Sequence, residues 1–185
     1  MIHRKIIFFI CLIGLHACQS YSLIATGSHD LGPYAVRTPI EWNRSPGAVP
    51  SWTVDGLALQ SLVFVSGIDD GDRLFPAISD DQGRAFRENM RSSDLAELIV
   101  ESFALISGAV AIEIDDLRPA DFGPWEGFRF SMQFASVTGL EERAIVLGAV
   151  VDARLHVILY RGARDYYFDK YLPQVEQLLA SIESA

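Results

Sequence analysis

The chain has 185 residues and a formal net charge of −9. That length suits one domain with a sizeable buried core. The acidic balance disfavours nucleic-acid backbones and anionic lipid surfaces as partners, and no basic stripe with interleaved aromatics restores a nucleic-acid reading.

His3, Arg4 and Lys5 open the chain, and an apolar run from Ile6 to Leu15 follows, broken by Gly14. A basic patch, a short apolar core and small residues are the layout of a secretory leader. The run is too short to cross a bilayer, which takes about 20 apolar residues in a helix. Leu15-His16-Ala17-Cys18 then resembles a bacterial lipobox. The resemblance implies a diacylglyceryl group on the Cys18 sulfur, cleavage before Cys18 and acylation of the new amine. Two or more acyl chains hold a protein stably on a membrane. Gln19 stands where an aspartate would imply inner-membrane retention, so the same resemblance implies the outer membrane, facing the periplasm. The alternative is ordinary cleavage near Ser20 or Ala25.

Residues 1–17 thus read as signal peptide, 18–33 as a lipidated flexible tether ending in Gly32-Pro33, and 34–185 as one α+β domain. Losing the leader removes Arg4 and Lys5 and no acid, which moves the net charge from −9 to −11. It also removes Cys11 and leaves Cys18 as the one thiol, so the mature chain has no internal disulfide and no thiolate metal cluster.

Within the domain, Tyr34 to Ile40 alternates as a short strand, and the prolines and glycine of 43–50 mark a loop. Leu57 to Val65 reads as a buried strand. Asp94 to Ile106 reads as a helix capped by Asp94, with Leu95, Leu98, Ile99, Phe103 and Ile106 on one stripe and Gly108 as its stop. Val110, Ile112 and Ile114 alternate, and Phe128, Phe130, Met132 and Phe134 do so more strictly. That period of two marks strands with one face on a core. Ala144–Val151 and Leu155–Tyr160 flank a tight turn at 152–154 and predict a hairpin. A closing helix has Pro173 near its first turn and Val175, Leu178, Leu179 and Ile182 on its apolar face. The predicted fold class is α+β, a twisted, mainly antiparallel sheet with two or more packed helices.

Four stretches carry a further resemblance: YAVRTPIEWNR, SDLAELIVESF, FGPWEGFRF and LHVILYRGARDYYFDKYLPQVEQLLASI. In this order they resemble the Mog/PsbP-like fold. The resemblance spans roughly 34–184 and implies a binding or assembly factor rather than a catalyst. No functional residue carries over from it, because no site motif matches.

Chemistry-bearing residues are sparse. His29 and His156 are the histidines beyond the leader, and two are too few for a histidine zinc site. There is no G-x-S-x-G elbow and no phosphate-binding loop. Asp69, Asp70 and Asp72 offer clustered carboxylates for calcium, against a plain solvated turn. Trp125, Tyr166 and Tyr167 fall in loops or at a helix start, where they can serve a partner or seal the core edge. The expectation is an envelope lipoprotein held on a membrane through Cys18 that binds a partner, for example an envelope protein. Trp125, Tyr166 and Tyr167 form its binding patch, with no cofactor, metal or nucleic acid. The alternative is a small periplasmic hydrolase recruiting His156, or a carrier with an apolar cavity.

Overall fold

The computed structural model describes residues 20–79 and 81–185. The leader and Cys18 lie outside the described residues. Five short strands come first: β1 (Ser22–Ile24), β2 (Gly27–Asp30), β3 (Tyr34–Thr38), β4 (Trp42–Arg44) and β5 (Ser51–Thr53). The longer β6 (Gln60–Ile68) leads through an irregular segment to helix α1 (Ser92–Ser107). A meander follows, of β7 (Val110–Phe122), β8 (Trp125–Ala135), β9 (Glu141–Val151) and β10 (Arg154–Ala163). Helix α2 (Tyr167–Ala180) and the two-residue β11 (Glu183–Ser184) close the chain.

An eight-stranded sheet runs β1-β4-β5-β6-β10-β9-β8-β7, and a three-stranded sheet runs β11-β3-β2. Every pairing in both is antiparallel. The described residues are therefore α+β, with a large antiparallel sheet and two helices. The β9–β10 turn is the tight one the sequence predicts: Asp152 and Ala153 take φ of 49° and 62°. Left-handed conformation at both turn residues matches the twist of the strands it joins.

The sheet is buried on both faces at its centre. Phe130, Met132, Val146, Val157 and Leu159 point to one face, where they pack with Leu95, Leu98, Ile99 and Phe103 of α1. Leu62, Phe64, Ile145, Leu147, Ile158 and Tyr160 point to the other. There they meet α2 through Phe168, Val175, Leu178 and Leu179, and Tyr34 and Val36 of the small sheet. Two glycines seat α2 at its ends. A side chain at Gly162 would meet the Phe168 backbone at 2.9 Å, and one at Gly123 would meet the Ile182 carbonyl at 2.6 Å. The helix thus lies directly on backbone at both ends.

Several boundaries differ from the sequence expectation. The stretch 20–33 holds β1 and β2 rather than free tether. Its polar composition hides an edge ladder, since β1 is satisfied by β4 and β2 by β3. α1 starts at Ser92, so Asp94 sits inside the first turn and its carboxylate accepts the Arg91 N–H at 3.0 Å. That is the reciprocal arm of a capping box, reached from within the helix. Pro173 lies in mid-helix α2, on the solvent side, where water can satisfy the carbonyl one turn earlier. Val110 and Ile114 do not enter the core: they are 59% and 41% exposed. β7 is an edge strand, broken by register shifts and by left-handed Ala111 and Asp116. Such bulges blunt an edge against pairing with another chain.

Candidate functional site

Charged residues at inward-facing positions of the core strands locate the site. Ala144 and Val146 of β9 face α1, so Glu142, two and four residues before them, faces α1 as well. Leu155, Val157 and Leu159 of β10 do the same, so Arg161 continues that row. The two side chains meet as an ion pair, with a guanidinium Nη1–H donating to the Glu142 carboxylate. The second guanidinium nitrogen donates to the Leu57 carbonyl at 2.7 Å. The Glu142 side chain is 2% exposed and that of Arg161 is 22% exposed. A carboxylate this buried is tolerable only beside a paired charge.

This pair floors a bent cleft beneath the last turn of α1. One arm, of about 360 Å³, is lined by Leu59, Ala109, Phe134, Val137 and Leu140. The other, of about 270 Å³, is lined by Val49, Leu57, Val63, Phe75 and Ile106. Both arms reach Phe103, Ser107 and Arg161. The cleft exists because α1 stops short of the strand ends. Gly108 turns the chain at φ 67°, and the Gly108 N–H closes the helix on the Ala104 carbonyl. The rim is unusually apolar for a surface: Ile106, Val137 and Leu140 are all substantially exposed. Apolar walls with a few convergent polar groups are the usual make-up of a ligand site. Arg161 has five N–H donors in a planar fork, so a bound acceptor can join the Glu142 and Leu57 contacts.

The expected aromatic patch is divided. Tyr166 and Tyr167 stand together at the start of α2, ring centroids 5.1 Å apart. Lys170 lies over both rings and over Tyr171, and its ammonium bonds Asp55 at 2.9 Å. The Asp55 carboxyl is held below its ordinary range by the hydrogen bond from the Tyr171 hydroxyl and by Lys170. Trp125 is at the other end of α2, half-buried against Phe122 and one turn from the Gly123–Ile182 contact. Fourteen helical residues, about 21 Å, separate the two groups.

His156 is 2% exposed on the α2 face. Its Nδ1 accepts the Gly67 N–H at 3.2 Å, and the Tyr34 ring stands edge-on at 5.9 Å. Burial and the nearby Arg154 push its pKa below the ordinary imidazole value, against the smaller pull of Asp152. The hydroxyl of Tyr34 is turned to Ser66, at 2.9 Å. His29 sits on β2, where its Nε2 bonds the Ala25 carbonyl and its ring meets Trp52 edge-on. Two aspartates of 69–72 are directed outward to arginines, Asp69 to Arg154 at 2.7 Å and Asp70 to Arg87 at 2.9 Å, and Asp72 is exposed in the same turn. Among the described residues no three His, Cys, Asp or Glu side chains gather as a metal site.

A wider groove of about 590 Å³ lies at the start of α1, rimmed by Asp121 and Glu126. It lacks the buried charge pair that distinguishes the cleft. The sequence carried a signal for that pair which residue-type motifs miss: Glu142 and Arg161 hold inward parity on otherwise apolar strands. No protein-family model and no curated protein matches the chain.

Proposed function

We propose that this protein is an exported lipoprotein, anchored through Cys18, that binds an apolar group bearing a hydrogen-bond acceptor in the cleft beneath α1. The observation that carries the reading is the meeting of two apolar arms over the buried Glu142–Arg161 pair. Apolar burial at about 25 cal/mol per Å² supplies affinity there, and the Arg161 fork supplies orientation. The lipobox-like Leu15-His16-Ala17-Cys18 supports anchoring, and Gln19 supports an outer-membrane position facing the periplasm. The antiparallel sheet with a helix on each face is compatible with the Mog/PsbP-like resemblance and its binding or assembly role. Of the alternatives, the cleft favours an apolar-ligand carrier over a hydrolase, because its polar floor is an ion pair rather than a nucleophile with a base.

A fluorescent dodecanoate tests this. Val137→Asp and Ile106→Asp place a charge on the apolar rim of each arm, at exposed positions. Each is expected to weaken probe binding about tenfold or more, equivalent to about 1.4 kcal/mol. Thermal unfolding should move by no more than about 0.5 kcal/mol, as for other surface changes. Binding equal to that of the parent in both variants would remove the cleft as the site.

A further inference from the structure

We propose that the β1 edge of the large sheet is the surface on which the domain rests against the lipid bilayer. The proposal builds on the anchoring of Cys18 and goes beyond it, because it fixes an orientation. Ser22 is the first residue of β1, and β1 is held in register on β4 through Ser22↔Arg44, Leu23↔Asn43 and Ile24↔Trp42. Three residues, and so four Cα-to-Cα steps, separate Cys18 from Ser22. Whatever their conformation, they reach no more than about 14 Å, at about 3.5 Å per residue. A thioether-linked diacylglycerol keeps its sulfur at the headgroup layer. The start of β1 therefore stays within a headgroup thickness or two of the hydrocarbon. A tether through residue 33 would have let the body drift, whereas one ending at Ser22 does not.

The edge has side chains suited to that position. Tyr21 is 50% exposed and Leu23 is 63% exposed. Leu23 is the central residue of β1, and Tyr21 immediately precedes the strand. Arg44, opposite Ser22, is exposed as well. A tyrosine at headgroup level, a leucine reaching the acyl boundary and an arginine for phosphate are what a lipid interface accepts. The register also ties this edge to the cleft. Leu23 pairs with Asn43 and Asn43 with Thr53. Two residues before Thr53, Ser51 shares that face and lines the cleft with Val63. Two strand spacings, about 10 Å, lie between the β1 edge and that arm. The bilayer is thus beside the mouth that an apolar occupant must enter.

Beyond Cys18 the chain holds no cysteine, so one introduced thiol can be labelled uniquely. Leu23→Cys and Leu117→Cys, each carrying a nitrobenzoxadiazole probe, report the two opposite edges of the sheet, and both native residues are exposed. The lipidated full chain is bound to phosphatidylcholine vesicles containing a nitroxide-bearing lipid. Seven strand spacings part the two edges, so quenching at position 23 is expected to exceed that at 117 by about threefold or more. Inserting a flexible Gly-Ser segment of about 20 residues after Gln19 should erase the contrast while the protein still floats with the vesicles. Equal quenching at 23 and 117 in vesicle-bound protein of native linker length overturns the orientation and leaves the anchor standing. An intact mass without lipid on Cys18 overturns the anchor, and the orientation with it.

Discussion

The two faces of the central sheet are built differently. The α2 face is sealed by polar contacts as well as packing. Trp42 Nε1–H donates to Thr38 at 2.8 Å, and the Tyr160 hydroxyl sits on the Tyr167 and Phe168 carbonyls at 3.0 and 2.9 Å. Tyr171 donates to Asp55 at 2.6 Å. Arg129 grips Glu176 from β8, and that hydrogen bond raises its own pKa. The α1 face is packed with Phe, Leu, Ile and Val, but its helix ends early over Arg161 and Glu142. Where the polar tips of Trp42, Tyr160 and Tyr171 close on partners within the fold, the face is structural. Where apolar surface stays open above a buried charge pair, it is available to a ligand.

The strongest way to break this contrast is at the pair itself. Arg161→Met leaves Glu142 buried without its counter-charge, and the expected loss of stability by urea unfolding is about 3–5 kcal/mol. The double variant Glu142→Leu/Arg161→Met should recover most of that loss, since an apolar pair can replace a buried ion pair at little cost. It should nonetheless bind the dodecanoate probe more weakly than the parent. Recovery of stability together with full binding would show that the charges serve neither end.

A smaller effect tests the sealed face. Tyr160→Phe removes the donor shared by two carbonyls at the start of α2, and about 1 kcal/mol of stability should go with it. Probe binding should stay unchanged, because Tyr160 points away from the cleft. The buried Tyr160 hydroxyl is held protonated by its desolvation, so this loss should not vary with pH between 6 and 9.

The smallest effect is the pH dependence contributed by His156. Its pKa is lowered in the fold, so the unfolded chain binds more protons at this site near and below the ordinary imidazole value of about 6.5. Its favourable contribution is complete above that value and is lost as pH falls through the lowered folded pKa. Unfolding free energies measured from pH 7.5 to 5 should decline, and His156→Gln should flatten part of the decline. An identical slope in the variant would assign the proton uptake elsewhere.

Much of the architecture was legible from local pattern. Strict alternation from Phe128 to Phe134 specified a strand with one face on a core, and that row is buried as expected. Ile145, Leu147 and Ile158 turned the facing strands into a second buried surface, because a continuous apolar run has residues for both sides. Leu95, Leu98, Ile99 and Phe103 specified the inward stripe of α1. The edges were not legible. β1 and β2 are only three and four residues long, so no local period marks them; their strand form comes from pairing partners such as Trp42 and Val36. Val110 and Ile114 alternate like core residues, yet the sheet ends at β7 and offers nothing to cover them.

What the sequence by itself determined is the element order, the inward parity of the core strands and the lipobox-like start, since all three depend on neighbours within a few residues. The tertiary structure alone decided that Glu142 and Arg161 meet and that Trp125 parts from Tyr166 and Tyr167. It also decided that the chain after Cys18 is pinned so soon. Each depends on where separate segments cross, and crossing is set by the sum of packing over the whole core rather than by any local preference.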